Sequence, residues 1–155
     1  MEIWEMGVRQ AAAAIRAGQL TPPEMATSLL SRIERLDGDI QAFARTNSVD
    51  LLSEAEAMQR EAARGAFRGP LHGIPIAIKD ILDTAGIETC AGSSLLAGRI
   101  PDRDAVAVEQ LRRAGALVLG KTAMTEFAAM DPAPTRNPWN LGHTPGGSSS
   151  GSAAA

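Results

Sequence analysis

The chain contains no tyrosine, and its three phenylalanines and two tryptophans make it only 3% aromatic. Single-stranded nucleic acid is held on stacked rings, so this scarcity argues against a base-stacking surface. Lysine and arginine total 15 against 18 acids, a net charge of −3, and they are scattered along the chain. The clustered basic footprint of a phosphate-backbone binder is missing, and no direct nucleic-acid contact is expected. The one cysteine, Cys90, has no partner for an internal disulfide and fits a reducing cytoplasm. Two histidines, His72 and His143, are too few for a usual zinc set, so no metal is expected. No apolar run approaches the roughly 18 residues that cross a bilayer, so no membrane association is expected. The opening MEIWEMGVRQ sets Glu2 and Glu5 ahead of Arg9, which does not read as a secretory leader.

What is present reads as one domain of 155 residues, 45% hydrophobic and 21% charged. Val8, Ala11, Ala12 and Ile15 share a helical face, with Gly18 as the stop. Thr21, Pro22 and Glu24 form a capping box with proline at the first helical position. Met25, Leu29, Ile33 and Leu36 are the expected buried stripe of that helix, and Gly38 its expected end. A third helix is expected over 48–64, burying Leu51, Ala55 and Met58 and showing Glu54, Arg60, Glu61 and Arg64 to water, with Gly65 as its stop.

Beyond Gly69 the pattern changes. Residues 74–79 read as a strand, 104–115 as a helix and 116–120 as a short, wholly apolar strand. Strand, helix, strand is the order of a βαβ unit in an α/β layer fold. Residues 128–147, rich in proline and glycine, read as a long loop. The closing GGSSSGSAAA sets a glycine turn, a serine able to cap (Ser150 or Ser152), and alanines, which is how a helix begins. A helix cannot be stable on so few residues. The chain is therefore expected to be the front part of a longer protein.

GALVLGKT, residues 115–122, fits the phosphate-loop pattern G-x-x-x-x-G-K-[ST]. The mechanism needs a loop whose amides wrap phosphates after a strand. Here the interval 116–119 is itself strand-like and follows a helix, so the match is rejected. Gly120 then ends the strand and Lys121 is expected at the surface.

Lys79 stands at the end of the apolar strand IPIAIK. A lysine there commonly snorkels to water. The alternative is desolvation, which disfavours the charged form of an amine; a neutral lysine can act as a general base. A serine hydroxyl needs such a base before it reacts, and TPGGSSSGSAAA supplies serines on a glycine turn.

GPLHGIPIAIKD (69–80), VLGKTAMTEFA (118–128) and NPWNLGHTPGGSSSGSAAA (137–155) together resemble the amidase signature family of serine hydrolases. The resemblance implies a Ser–cis-Ser–Lys triad. Lys79 matches its lysine base and Ser148 its cis-serine relay, with Gly146 and Gly147 forming the turn and the cis peptide bond. The acylated serine and the oxyanion amides are implied beyond Ala155, and neither Ser149 nor Ser150 is promoted in their place. The 155-residue chain alone is accordingly expected to be inactive. Met124 matches a position near the substrate cleft, although methionine in such a place is more often core. Asp80 is expected in an ion pair or cap, and Cys90 with 91–94 in a small-residue loop.

The implied architecture is an N-terminal helical segment, 1–65, followed by the first part of a mixed-sheet α/β/α sandwich, 66–155. The implied reaction is hydrolysis of a small-molecule amide through an acyl-enzyme, without cofactor or metal. Homodimerisation is left open. One alternative is the A subunit of a tRNA-dependent amidotransferase, which uses the same core to release ammonia. Another, from a different class, is a non-catalytic module whose Gly/Ser turn binds an anion through backbone amides.

Overall fold

A threonine followed by two prolines sets the start of the longest helix. The Thr21 backbone N–H and hydroxyl each donate to the Glu24 carboxylate at 2.8 Å, and the Glu24 N–H returns to Thr21 Oγ1 at 3.3 Å. This capping box occupies donors that a helix start leaves open. In the computed structural model, which describes residues 2–155, the helix that follows is α2 (Pro22–Ile40), preceded by α1 (Val8–Arg16).

The helix α2 runs through Gly38, where the sequence leads one to expect a stop, and ends at Ile40, before Gln41, whose φ is 55°. Gly38 is exposed with open space around it, so its cost there is the helix propensity of about 1 kcal/mol. The Asp37 carboxylate holds the exit by accepting the N–H groups of Ala42 and Phe43 at 2.7 and 3.3 Å. The buried stripe is correspondingly short: Met25 and Ala26 are buried, Leu29 and Ile33 half-buried, and Leu36 exposed. On α1 the stripe begins at Ala11, because Val8 is exposed.

The remaining strands and α-helices are β1 (Phe43–Thr46), α3 (Ser48–Ala62), β2 (Ile74–Lys79), α4 (Val106–Arg113), β3 (Ala116–Thr122) and α5 (Ser150–Ala154). The strands form one sheet in the order β1-β3-β2, an α/β arrangement. β1 runs antiparallel to β3 in the register Phe43↔Thr122, Arg45↔Lys121, Thr46↔Gly120, with an irregularity between Phe43 and Arg45. All seven residues of β3 are buried, as a central strand covered on both faces requires. The strand continues through Gly120 to Thr122, so Lys121 lies inside the sheet, fully buried, and not at the surface. Ala116–Leu119 are strand residues, and the phosphate-loop pattern has no loop to act with.

Chain contacts divide the protein into two units that interleave along the sequence. The first takes the chain up to Glu34, Asn47–Ile76 and Glu109–Leu119. Its core is Ala11, Ile15, Leu20, Met25 and Ile74, with Leu29, Phe67 and Leu71 packed against them. In α3, Leu51, Ala55 and Met58 are buried as the spacing predicts. Its charged face is not fully solvated: Glu54 and Glu61 are half-buried and pair with Arg112 at 3.7 Å and Arg68 at 2.6 Å. His72 is structural, accepting the Arg68 N–H at Nδ1 (3.1 Å) and meeting the Met58 carbonyl at Nε2 (3.0 Å).

The second unit takes Arg35–Thr46, Ala77–Val108 and Gly120–Ala155. It contains the ends of β2 and β3, the loop between Asp80 and Ala105, the long 129–149 segment without regular helix or strand, and α5. The N-cap of α5 is Ser149, and neither Ser150 nor Ser152 as expected. Among the described residues, no helix is long and apolar enough to cross a membrane.

Candidate active site

Lys79 closes β2 half-buried, and its Nζ donates to Ser148 Oγ at 2.6 Å across 69 residues of sequence. Two backbone bonds seat the serine-bearing turn in the second unit. The Thr125 N–H donates to the Ser148 carbonyl at 3.2 Å, and the Gly151 N–H to the Ala123 carbonyl at 2.9 Å. Ser148 follows Gly147 through a cis peptide bond, and Gly146 turns the chain at a φ of 91°.

The neighbouring hydroxyls have other partners. Ser150 Oγ donates to the Gly146 carbonyl at 2.6 Å, and Ser152 Oγ lies 2.9 Å from Thr122 Oγ1. The structure thus joins Lys79 to Ser148, while Ser150 and Ser152 hold the turn and the start of α5.

Gly151 is the tightest point of this seat. A Cβ there would lie 2.0 Å from the Ala42 carbonyl oxygen and 2.6 Å from Ala123 N, both backbone atoms. Backbone cannot rotate away as a side chain can, so α5 would have to lift. Gly151→Ala is expected to destabilise the protein by about 1–3 kcal/mol, the usual range for overpacking. The check is a urea midpoint lowered without a change in the m-value.

A cavity of about 310 Å³ adjoins Ser148, with Thr125, Met130, Thr144, Gly146 and Gly147 in its walls. Thr125 Oγ1 is buried there without a hydrogen-bond partner. Met124 is buried and lines a different cavity, of about 360 Å³, with Phe43, Asp80 and Gly92. Gly92 has a φ of +70°, and an added Cβ would meet the Met124 carbonyl at 2.7 Å. The small residues after Cys90 therefore allow a close backbone approach to Met124.

Asp80 directly follows the last residue of β2, and its side chain has partners of its own. Its carboxylate accepts Arg45 Nη1 at 2.7 Å and the Cys90 N–H at 3.1 Å, with Lys121 Nζ at 3.8 Å. This is the ion pair expected for Asp80. Its partners escape sequence reasoning, because Arg45 comes from the unforeseen strand β1 and Lys121 from a buried strand interior. Burial pushes the Lys121 ammonium down to about 8, with Asp80 opposing. Burial, and then a hydrogen bond with Glu88, push the Cys90 thiol up. Among the described residues, no group of three or more His, Cys, Asp or Glu could hold a metal ion.

The chain has relatives among known proteins. The chain is 41% identical over 160 residues to the A subunit of glutamyl-tRNA(Gln) amidotransferase from Anaeromyxobacter sp. strain K, covering 99% of this chain and 32% of the relative. It is 42% identical to the corresponding protein of Desulforapulum autotrophicum, covering 100% of this chain and 33% of the relative. Among solved structures, it matches the peptide amidase of Stenotrophomonas maltophilia with a TM-score of 0.91 and 41% identity, over 97% of this chain and 34% of that one. The chain thus spans about a third of the length of these proteins. The Amidase family model matches residues 24–155, reaching well ahead of the motif blocks that begin at Gly69, and the chain belongs to the amidase family.

Proposed function

We propose that the protein serves the hydrolysis of a carboxamide through an acyl-enzyme, with Lys79 as general base and Ser148 as proton relay. The observation that carries this reading is the 2.6 Å contact between Lys79 Nζ and Ser148 Oγ. In the proposed sequence a further serine, assigned to the additional length that the relatives possess, attacks the amide carbon. For this step Lys79 acts as the neutral amine, with the bond reversed so that Ser148 Oγ–H donates to Nζ; the nucleophile's proton passes to Ser148 Oγ while the Ser148 proton passes to that amine. The protonated lysine returns a proton along the same line to the leaving amine, and water then cleaves the ester. The cavity beside Ser148 supplies space for the group next to the scissile bond. On this reading the 155-residue chain by itself turns over no amide.

The test is an irreversible serine-directed phosphonate applied to the full-length gene product. A hydrolase is labelled in proportion to its lost amidase activity. Absence of labelling with an active, folded protein sinks the acyl-enzyme. The anion-binding alternative is weakened by the turn itself, since the Gly151 amide is already committed to Ala123 and the Gly146 amide to Thr144 Oγ1 at 3.2 Å.

A second reading is supported by the relatives named as amidotransferase subunits: the chain is part of an A subunit that releases ammonia for a tRNA-bound substrate. Identity of 41% to both an amidotransferase component and a peptide amidase does not separate the two. Amide hydrolysis that rises only when a partner subunit is added favours the amidotransferase. Full activity without a partner favours the free-standing amidase.

A further inference from the structure

Lys121 is fully buried within β3. Removing an ammonium group from water is unfavourable, and an apolar side chain of similar volume usually serves packing as well or better. A lysine in this place needs a reason other than filling space. Its surroundings supply one. Nζ donates to the Leu82 carbonyl at 2.6 Å, to Thr89 Oγ1 at 2.7 Å and to Thr84 Oγ1 at 3.1 Å. Both threonine hydroxyls donate onward, Thr84 to the Leu82 carbonyl and Thr89 to the Ile87 carbonyl, each at 3.1 Å. Their hydrogens are thus committed, and their lone pairs face the ammonium group. All three N–H groups of the lysine find acceptors, and none of these acceptors comes from β3 itself.

The acceptors all lie on the loop that leaves β2 immediately after Lys79. Asp80, next to Lys79, is held at the main chain as well. Its N–H donates to the Thr122 carbonyl at 3.2 Å, and its carbonyl accepts the Ala91 N–H at 3.0 Å. Its carboxylate lies between Arg45 and Lys121. The loop is therefore tied back to β3 near its start, its middle and its end, and the first residue tied, Asp80, directly follows Lys79.

We propose that Lys121 is a positioning residue: it clasps the 82–89 segment and Asp80, and so fixes the end of β2 from which the Lys79 amine meets Ser148. The proposal rests on the reading of Lys79 as the base. Lys121 touches no reacting atom. It acts through the backbone of residues 79 and 80, where a small displacement lengthens a contact that must stay within hydrogen-bond reach. Misplacement of a reacting group by about 1 Å can cost on the order of 100-fold in rate.

The experiment compares Lys121→Met with the double variant Thr84→Val/Thr89→Val in the full-length protein. The methionine variant should lose about 10–100-fold in kcat with KM within about twofold, since substrate contacts are untouched. The double variant keeps the lysine and removes two of its acceptors. It should lose less in kcat, in the same direction, and it decides alone if the methionine variant does not fold. Amide hydrogen exchange at Leu82, Cys90 and Ala91 should accelerate about tenfold in both. A folded variant with faster exchange and unchanged kcat overturns the positioning role. Unchanged exchange overturns the clasp. If the wild-type protein hydrolyses no amide, the reading of Lys79 itself falls, and exchange still reports whether Lys121 holds the loop.

Discussion

Lys79→Met in the full-length protein is expected to lower kcat for amide hydrolysis by about 10²–10⁴-fold, the usual contribution of a positioned base, with little change in KM. The substitution keeps the length and apolar stem of the side chain and deletes only the amine that lies 2.6 Å from Ser148 Oγ. Lys79 is half-buried at a strand end, so packing loses little and the thermal midpoint should stay near that of wild type. Ser148→Ala should produce a loss of the same order, because it interrupts the proton path at the next atom. The pair gives a stronger test than either variant. Groups that act as one unit are not additive in their losses. The double variant should therefore be no slower than the slower single variant. Losses that multiply, or turnover that survives either substitution in a folded protein, would remove the lysine–serine path from the mechanism.

Much of this site can be read in the sequence, and the reasons are local. The apolar alternation of IPIAIK sets β2 and leaves a lysine at its end, and the glycine pair before the serines marks a turn. The cap at Thr21–Glu24 and the buried positions of α3 follow from spacing alone. What cannot be read depends on partners far along the chain. β1 is four residues, FART, with alternating exposure; it is a strand because β3 offers an edge to pair with, and nothing in those residues says so. Gly38 reads as a stop, yet it sits on an exposed helix face where a modest propensity cost is tolerated. Lys121 departs furthest from its expected place. Lysine is rarely buried unless paired, and the sequence shows no pairing. Its three acceptors and its acid lie 32 to 41 residues upstream, on a loop that only the fold delivers. The same separation hides the polar network around Asp80.

Lys121 should also appear in the dependence of stability on pH. Folded, its ammonium titrates at about 8; unfolded, at the ordinary value of 10.5. Below pH 8 both states hold the proton, and above 10.5 neither does. Between these limits the unfolded chain binds a proton that the folded chain has released, so stability rises with pH through this window. The shift is worth on the order of 3 kcal/mol. The charged groups that bear on the amine are Asp80, Arg45, Asp83 and Arg99. Cys90 works in the opposite sense. Its thiol is pushed above the ordinary value of 9.0, so the folded chain keeps a proton that the unfolded chain loses, and stability falls as pH rises through that interval. The difference between wild type and Lys121→Met cancels the cysteine contribution and isolates the lysine. Urea unfolding from pH 7 to 11 should show that difference moving in favour of wild type by about 3 kcal/mol, with most of the change between 8 and 10.5. A difference that stays level across the range would mean that burial does not depress this amine, and the pH dependence assigned to Lys121 would fall.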